Sequence, residues 1–207
     1  LDEDSFAPAK GGLHADSYDP ESGLLWLSIA DAGGTKRIAM AEVGADGIPD
    51  PIGVVLEPSG TGFDAISVHS PVVWATEDGY RMLYAGESAE GITHMGTATS
   101  SDGLSWTRGG QALEAGEGWE SMAVVPGDVH ESADGYRLWY SGFNGEQWEI
   151  GSATSTDGRD WIRESEPAFS FGAPGSWDDA AVRHPSVYQD GDELHLWYSG
   201  FDGSSWR

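Results

Sequence analysis

Apolar and polar positions alternate along most of this chain in short runs that end at glycine or Asp-Gly. Arg137-Leu138-Trp139-Tyr140 sets long polar-tipped side chains against apolar ones, the period-two pattern of a half-buried strand. Gly142 to Gly145 interrupts it, Trp148 to Ala153 resumes extended structure, and Thr156-Asp157-Gly158 predicts a tight turn before Trp161. Aspartate bonds the backbone ahead of it and glycine takes positive φ, so Asp-Gly between two strands signals a hairpin.

The same pattern recurs. Tyr80 to Gly86, then Met95 to Gly103, then Trp106 form an upstream copy, and Leu194 to Gly203 starts a downstream one. A looser copy runs through Leu24 to Ser28, Arg37 to Ala41 and Ala45-Asp46-Gly47. An aromatic–acid pair opens three of the units, Phe63-Asp64, Trp119-Glu120 and Trp177-Asp178, a period of 56 to 58 residues. Repetition at this length with four strands per unit predicts an all-β chain, a β-propeller of four-stranded blades. The blades fall at about 13–60, 63–118, 119–176 and 177–207, after a lead-in over 1–12, in one propeller domain. The fourth is incomplete, so about three and a half blades are present. A propeller is stable because its ring closes, which predicts ~80 further residues or a second chain to complete it.

Composition narrows the partners. The chain has 207 residues with Trp 10, Gly 30 and Cys 0, which suits an all-β repeat without disulfides or thiolate metal sites. No apolar run reaches membrane-spanning length and no signal-peptide pattern opens the chain, so no membrane partner is expected. A net charge of −25, with Lys10 and Lys36 the only lysines, repels phosphate backbones and argues against a nucleic-acid partner. The acidic surface fits a secreted or extracellular setting. The turn Asp190-Gly191-Asp192-Glu193 offers hard oxygen ligands, so Ca²⁺ is a candidate ion although no EF-hand spacing is present.

Three stretches together carry a family resemblance: Trp177-Asp178 with Arg183-His184-Pro185-Ser186-Val187-Tyr188, Leu196-Trp197-Tyr198-Ser199-Gly200, and Ile150 to Trp161. They resemble the five-bladed propellers of glycoside hydrolase families 43, 32 and 68, the arabinanase, xylosidase, invertase and levansucrase relatives. The resemblance implies a glycan site in a central funnel built from the first strand of each blade. It also implies an aspartate base or nucleophile, a second aspartate and a glutamate general acid. Glycosidic cleavage needs one protonated and one ionised carboxyl group about the bond.

Stacking the inner strands aligns His14, Ser70, Pro126 and His184 at the rank where the family places Asp before Pro. Arg183-His184-Pro185 thus resembles the family's Arg-Asp-Pro with histidine in place of aspartate, and no Glu-Gly-Pro acid motif is present. Two residues on come Asp16, Val72, Asp128 and Ser186, on the same side because strand side chains alternate. His14, Asp16, Ser70, Asp128, His184 and Ser186 are therefore expected to converge on an axial pocket. The candidate catalytic residues are Asp16, Asp128 and Glu120; the candidate substrate-binding residues are His14, Ser70, Arg183, His184 and Ser186. Asp64, Glu120 and Asp178 recur at one rank, which equally fits a structural task in every blade, and Asp102 and Asp157 sit in Ser-x-Asp-Gly turns that resemble structural Asp-box turns. The expected function is a glycosidase-like, carbohydrate-active propeller. The alternative is a non-catalytic glycan-binding or scaffold propeller, completed by a further segment or a partner chain.

Overall fold

The computed structural model describes residues 13–191 and 193–207; the lead-in 1–12 and Asp192 of the acidic turn lie outside the described residues. Two compact units divide the chain, Leu1–Gln111 and Ala112–Arg207.

The first unit holds two antiparallel meanders. Strands β1 (Leu13–Asp19), β2 (Leu24–Ala30), β3 (Lys36–Val43) and β4 (Pro49–Leu56) form one sheet. Strands β5 (Ser67–Thr76), β6 (Gly79–Glu87), β7 (Thr93–Ser100) and β8 (Thr107–Leu113) follow in the same order. Trp26, Ile38, Met40 and Leu56 of the first sheet pack on Val68, Met82, Tyr84 and Ala98 of the second in one buried cluster. Trp26 is its centre: its ring lies 5.4 Å from Tyr80 and 6.4 Å, edge-on, from Trp106. Its indole N–H donates to the Gly103 carbonyl at 3.1 Å, an oxygen that also accepts from Trp106 at 2.8 Å. The Ser-x-Asp-Gly turn presents that oxygen because Asp102 Oδ1 accepts the N–H groups of Leu104 and Ser105 at 2.9 and 2.8 Å. Asp157 does the same for Arg159 and Asp160 at 2.9 and 3.1 Å, as the repeated motif predicts.

The second unit repeats the plan with β9 (Ala123–Ser132), β10 (Gly135–Phe143), β11 (Trp148–Ser155) and the short β12 (Ile162–Arg163). A hairpin of β13 (Ala181–Asp190) and β14 (Glu193–Phe201) comes next. Beyond it Gly200 and Arg207 exchange both backbone hydrogen bonds at 2.9 Å, so Trp206 lies opposite Phe201 as Trp148 lies opposite Phe143. Tyr140 is buried and Trp139 half-buried, whereas Trp197 is 69% exposed among the described residues.

The aromatic–acid pairs lock three of the four repeats. Phe63, Trp119 and Trp177 lie over Tyr84, Tyr140 and Tyr198 with ring centres 6.0, 5.8 and 5.3 Å apart. Each tyrosine hydroxyl donates to the adjoining acid: Tyr84 to Asp64 at 3.0 Å, Tyr140 to Glu120 at 2.8 Å, Tyr198 to Asp178 at 2.8 Å. Below the aromatic ring comes glycine, at Gly86, Gly142 and Gly200, where any Cβ would run into that ring and the acid's own Cβ. The sequence pattern predicts a strand break at Gly142. The strand instead continues to Phe143, because this glycine makes room for Trp119 rather than for a turn.

Gly142→Ala is expected to destabilise the protein by roughly 1–3 kcal/mol, the usual cost of overpacking a filled core. Denaturant midpoints would show it, and an unchanged midpoint would mean that Trp119 is free to move aside.

Candidate functional site

The inner strands β1, β5, β9 and β13 each carry a bulge, and the register around it fixes which residues are equivalent. His14, His69, Val125 and Arg183 lie opposite Ser28, Ala85, Ser141 and Ser199. After the bulge, Ser17, Val72, Asp128 and Ser186 lie opposite Trp26, Leu83, Trp139 and Trp197. The first repeat is therefore shifted by one residue from the sequence alignment. His14 shares a rank with Arg183 and not with His184, and Ser17 rather than Asp16 is the counterpart of Asp128. Asp16 is itself the bulged residue, the one the ladder skips between Ala15 and Ser17. A bulge re-aims a side chain, and here it turns a carboxylate back onto its own sheet.

In the first unit, Asp16 Oδ2 accepts the Ser28 N–H and hydroxyl, each at 2.7 Å, while Oδ1 meets His14 Nδ1 at 2.8 Å. The Asp16 side chain is 9% exposed and that of His14 68%. Burial pushes the Asp16 carboxyl above its ordinary 3.8, outweighing the lowering by Ser28 and His14. The Ser28 hydroxyl oxygen also accepts the Ser70 N–H at 2.8 Å, and Ser70 Oγ lies 3.0 Å from His69 Nδ1. His14, Asp16 and Ser28 thus form one connected side-chain group, which Ser70 joins through its backbone N–H and His69 through the Ser70 hydroxyl.

In the second unit, Asp128 Oδ2 accepts the Val187 N–H at 2.7 Å and the Ser186 hydroxyl at 3.3 Å. Burial again pushes its carboxyl up. This is the task of Ser17, whose hydroxyl accepts the Val73 N–H at 3.0 Å. Ser141 Oγ accepts the His184 N–H at 2.9 Å, as Ser28 does for Ser70. Ser70 and His184 both have positive φ, 50° and 55°, a conformation that non-glycine residues seldom adopt. Ser28, Ser141 and Ser17 were not singled out by the sequence; the recurring Trp-x-Ser of the second strand is the signal that would have found the first two.

Glu120 belongs to the blade interior. Its side chain is 5% exposed, Oε2 accepts from Tyr140 and Oε1 pairs with Arg163, which also donates to the Glu114 carbonyl at 2.5 Å. Asp64 is held likewise by Tyr84 and by Arg108 at 2.8 Å. Arg183 stacks on Trp206, its guanidinium carbon 3.8 Å from the ring centre. Among the described residues no three His, Asp or Glu side chains group as metal ligands, and the acidic turn expected to hold Ca²⁺ includes Asp192, outside them. A cleft of about 450 Å³ in the second unit is lined by Ser132, Asp134, Tyr136, Arg137 and Asp160 among others, and by none of the predicted site residues.

No family model matches the chain. It is 29% identical over 143 residues, 66% of its length, to an uncharacterized protein of Mycobacterium tuberculosis, and the match covers 48% of that protein. The chain thus spans about half the length of the curated relatives it matches. Among solved structures, a β-1,2-mannobiose phosphorylase from Listeria innocua, in complex with β-1,2-mannobiose, superposes with a TM-score of 0.76 at 16% identity, covering 96% of this chain and 57% of that one. A putative glycosidase from Bacteroides thetaiotaomicron gives 0.70 at 18%, covering 100% and 69%. An α-L-arabinofuranosidase from Lactobacillus brevis gives 0.66 at 14%, covering 91% and 64%. The fold is the glycosidase β-propeller. The all-β expectation and the resemblance to these enzymes hold at the level of fold.

Asp128 offers a test of the geometry. A carboxyl whose folded-state pKa is raised contributes stability that is complete below its unfolded value and is lost as pH rises through the folded one. Asp128→Asn should therefore gain stability relative to wild type as pH is raised above 3.8, until Asp128 has ionised fully. Urea midpoints of both proteins across that range would check it; a difference independent of pH would refute the buried carboxylate.

Proposed function

We propose that the chain is part of a carbohydrate-active protein that cleaves glycosidic bonds, with sugar held against residues of the inner strands. Its fold likeness to glycosidases supports the substrate class. The observation that carries the reaction is the Asp16–His14 pair, a carboxylate nine-tenths buried against an exposed imidazole. A buried carboxyl whose pKa burial has raised, hydrogen-bonded to a solvent-facing imidazole, is a pairing that acid–base cleavage can use. In this reading Asp16 and His14 share the proton-transfer task, Ser28 fixes the carboxylate, and Ser70 bonds sugar hydroxyls. In the second unit Asp128 and Ser186 brace the strand that carries Arg183 and His184. Glu120 takes no part in the chemistry, since both its oxygens serve the blade.

The alternative, a glycan-binding propeller without catalysis, is favoured by one observation: Asp128 and Glu120, two of the three expected catalytic carboxylates, are consumed by hydrogen bonds inside the fold. Turnover separates the readings. The full-length protein would be assayed on β-1,2-mannobiose with and without phosphate, on nitrophenyl arabinofuranoside, and on xylan and fructan. Asp16→Asn is expected to lower kcat by roughly 10²–10⁴-fold with KM little changed, the usual cost of losing an acid–base group. A wild-type protein that binds these sugars without turning any over would establish the second reading. One that binds none would remove both.

A further inference from the structure

Among the described residues, Arg183 is a cation with no carboxylate paired to it. Its Nε is buried and makes no hydrogen bond among the described residues. The ion pairs of its own unit join Arg163 to Glu120, His195 to Glu193 and Arg207 to Asp202, and none reaches Arg183. The guanidinium lies instead between aromatic rings, 3.8 Å from the centre of Trp206 and 5.9 Å from that of Trp148. Those rings are themselves backed by Phe201 and Phe143, with ring centres 5.0 and 4.6 Å away. Stacking of this kind contributes about 0.5–2 kcal/mol and fixes the plane of the guanidinium, but it satisfies none of its five N–H donors. With Nε turned inward and the side chain half-buried, the two terminal nitrogens are what a ligand can meet.

Two further facts bear on what that ligand is. The chain carries 35 acidic residues against 10 basic ones, so a guanidinium placed where no carboxylate answers it is the exception to the prevailing arrangement. The register also puts Arg183 at the rank of His14 and His69, so this rank holds nitrogen-bearing side chains in three of four repeats and a carboxylate in none. A planar fork held rigid on an indole is suited to a bidentate oxyanion and ill suited to the scattered hydroxyls of a neutral sugar.

We propose that Arg183 recognises an anionic group on the glycan, the carboxylate of a uronic acid or a phosphate ester. The inference deepens the carbohydrate reading and rests on it for the sugar, but not for the charge. The protein's strongly negative field suppresses stray anion binding elsewhere on the surface, which makes dependence on Arg183 diagnostic.

The test is calorimetric binding by the full-length protein of three probes: trigalacturonate, mannose 6-phosphate and the neutral β-1,2-mannobiose. Arg183→Gln and Arg183→Lys are measured beside wild type, with circular dichroism confirming that each variant is folded. An acidic probe is expected to bind wild type and to lose about tenfold or more in affinity in Arg183→Gln, with the neutral probe changed less than about twofold. Arg183→Lys keeps the charge without the fork and should recover only part of the loss. Preference for trigalacturonate assigns the carboxylate, and preference for mannose 6-phosphate the phosphate. Equal losses for acidic and neutral probes would overturn the anionic assignment and leave the glycan reading standing. If no sugar binds but inorganic phosphate does, through Arg183, the glycan reading fails and the anion site survives. Binding of none of these probes overturns both.

Discussion

A tyrosine hydroxyl donating to a buried acid, under an aromatic ring and over a glycine, is the contact on which three of the four repeats depend. Burying a carboxylate costs several kcal/mol unless donors replace the lost water. Asp64 and Glu120 each find a tyrosine and an arginine that also ties down a neighbouring carbonyl, and Asp64 accepts from the Ser59 hydroxyl as well. Asp178 accepts from Tyr198 and Ser176 at 2.8 and 2.7 Å. Burial and the Asp178 carboxylate push the Tyr198 hydroxyl up to about 12, so the proton stays on the phenol and the bond keeps its direction. An acid so engaged has a structural task within its repeat. The three units can therefore share a carboxylate at one rank without sharing a function.

A second constraint sets the inner strands. Ser28 and Ser141 each receive the backbone N–H of a positive-φ residue from the neighbouring sheet, Ser70 and His184. Holding such residues costs of order 1–3 kcal/mol each, and the strain persists only where surrounding contacts over-determine it. Here Ser17 and Asp128 supply a second grip three residues further on, at Val73 and Val187. The two-point strap fixes how far each inner strand advances before its bulge. The bulge, in turn, decides which side chain faces away from the sheet.

The repeat was legible because it is written in residues whose physics is local: Asp-Gly turns, Trp-x-Ser strands and aromatic–acid landmarks. The landmark carboxylates could be suspected of a structural task from their recurrence, and Glu120 bears that out in its contacts. Gly142 misled for a definite reason. A glycine that relieves a ring and a glycine that turns a chain look alike in sequence, and only the neighbour Trp119 distinguishes them. The site was less legible. A bulge shifts register by one residue without leaving a mark in a single sequence, so His14 and Asp16 were each matched to the wrong partner, and His69 showed no pattern until the ladder was known.

That shift changes what the inner strands offer. In the sequence alignment the missing family aspartates look like a loss, with histidine standing where a carboxylate should be. The observed ladder shows a different allocation. The rank nearest the strand start carries His14, His69 and Arg183. Beside His14, Asp16 is folded back by its bulge and meets His14 Nδ1. Asp16 meets His14 with one oxygen and Ser28 with the other, so carboxyl and imidazole form one coupled pair. That rank therefore carries a nitrogen side chain in three of the four repeats, in a chain with 35 acidic residues against 10 basic ones. Among these side chains Arg183 is set apart by its planar fork against Trp206, the geometry that would tell a carboxylate or phosphate from a hydroxyl.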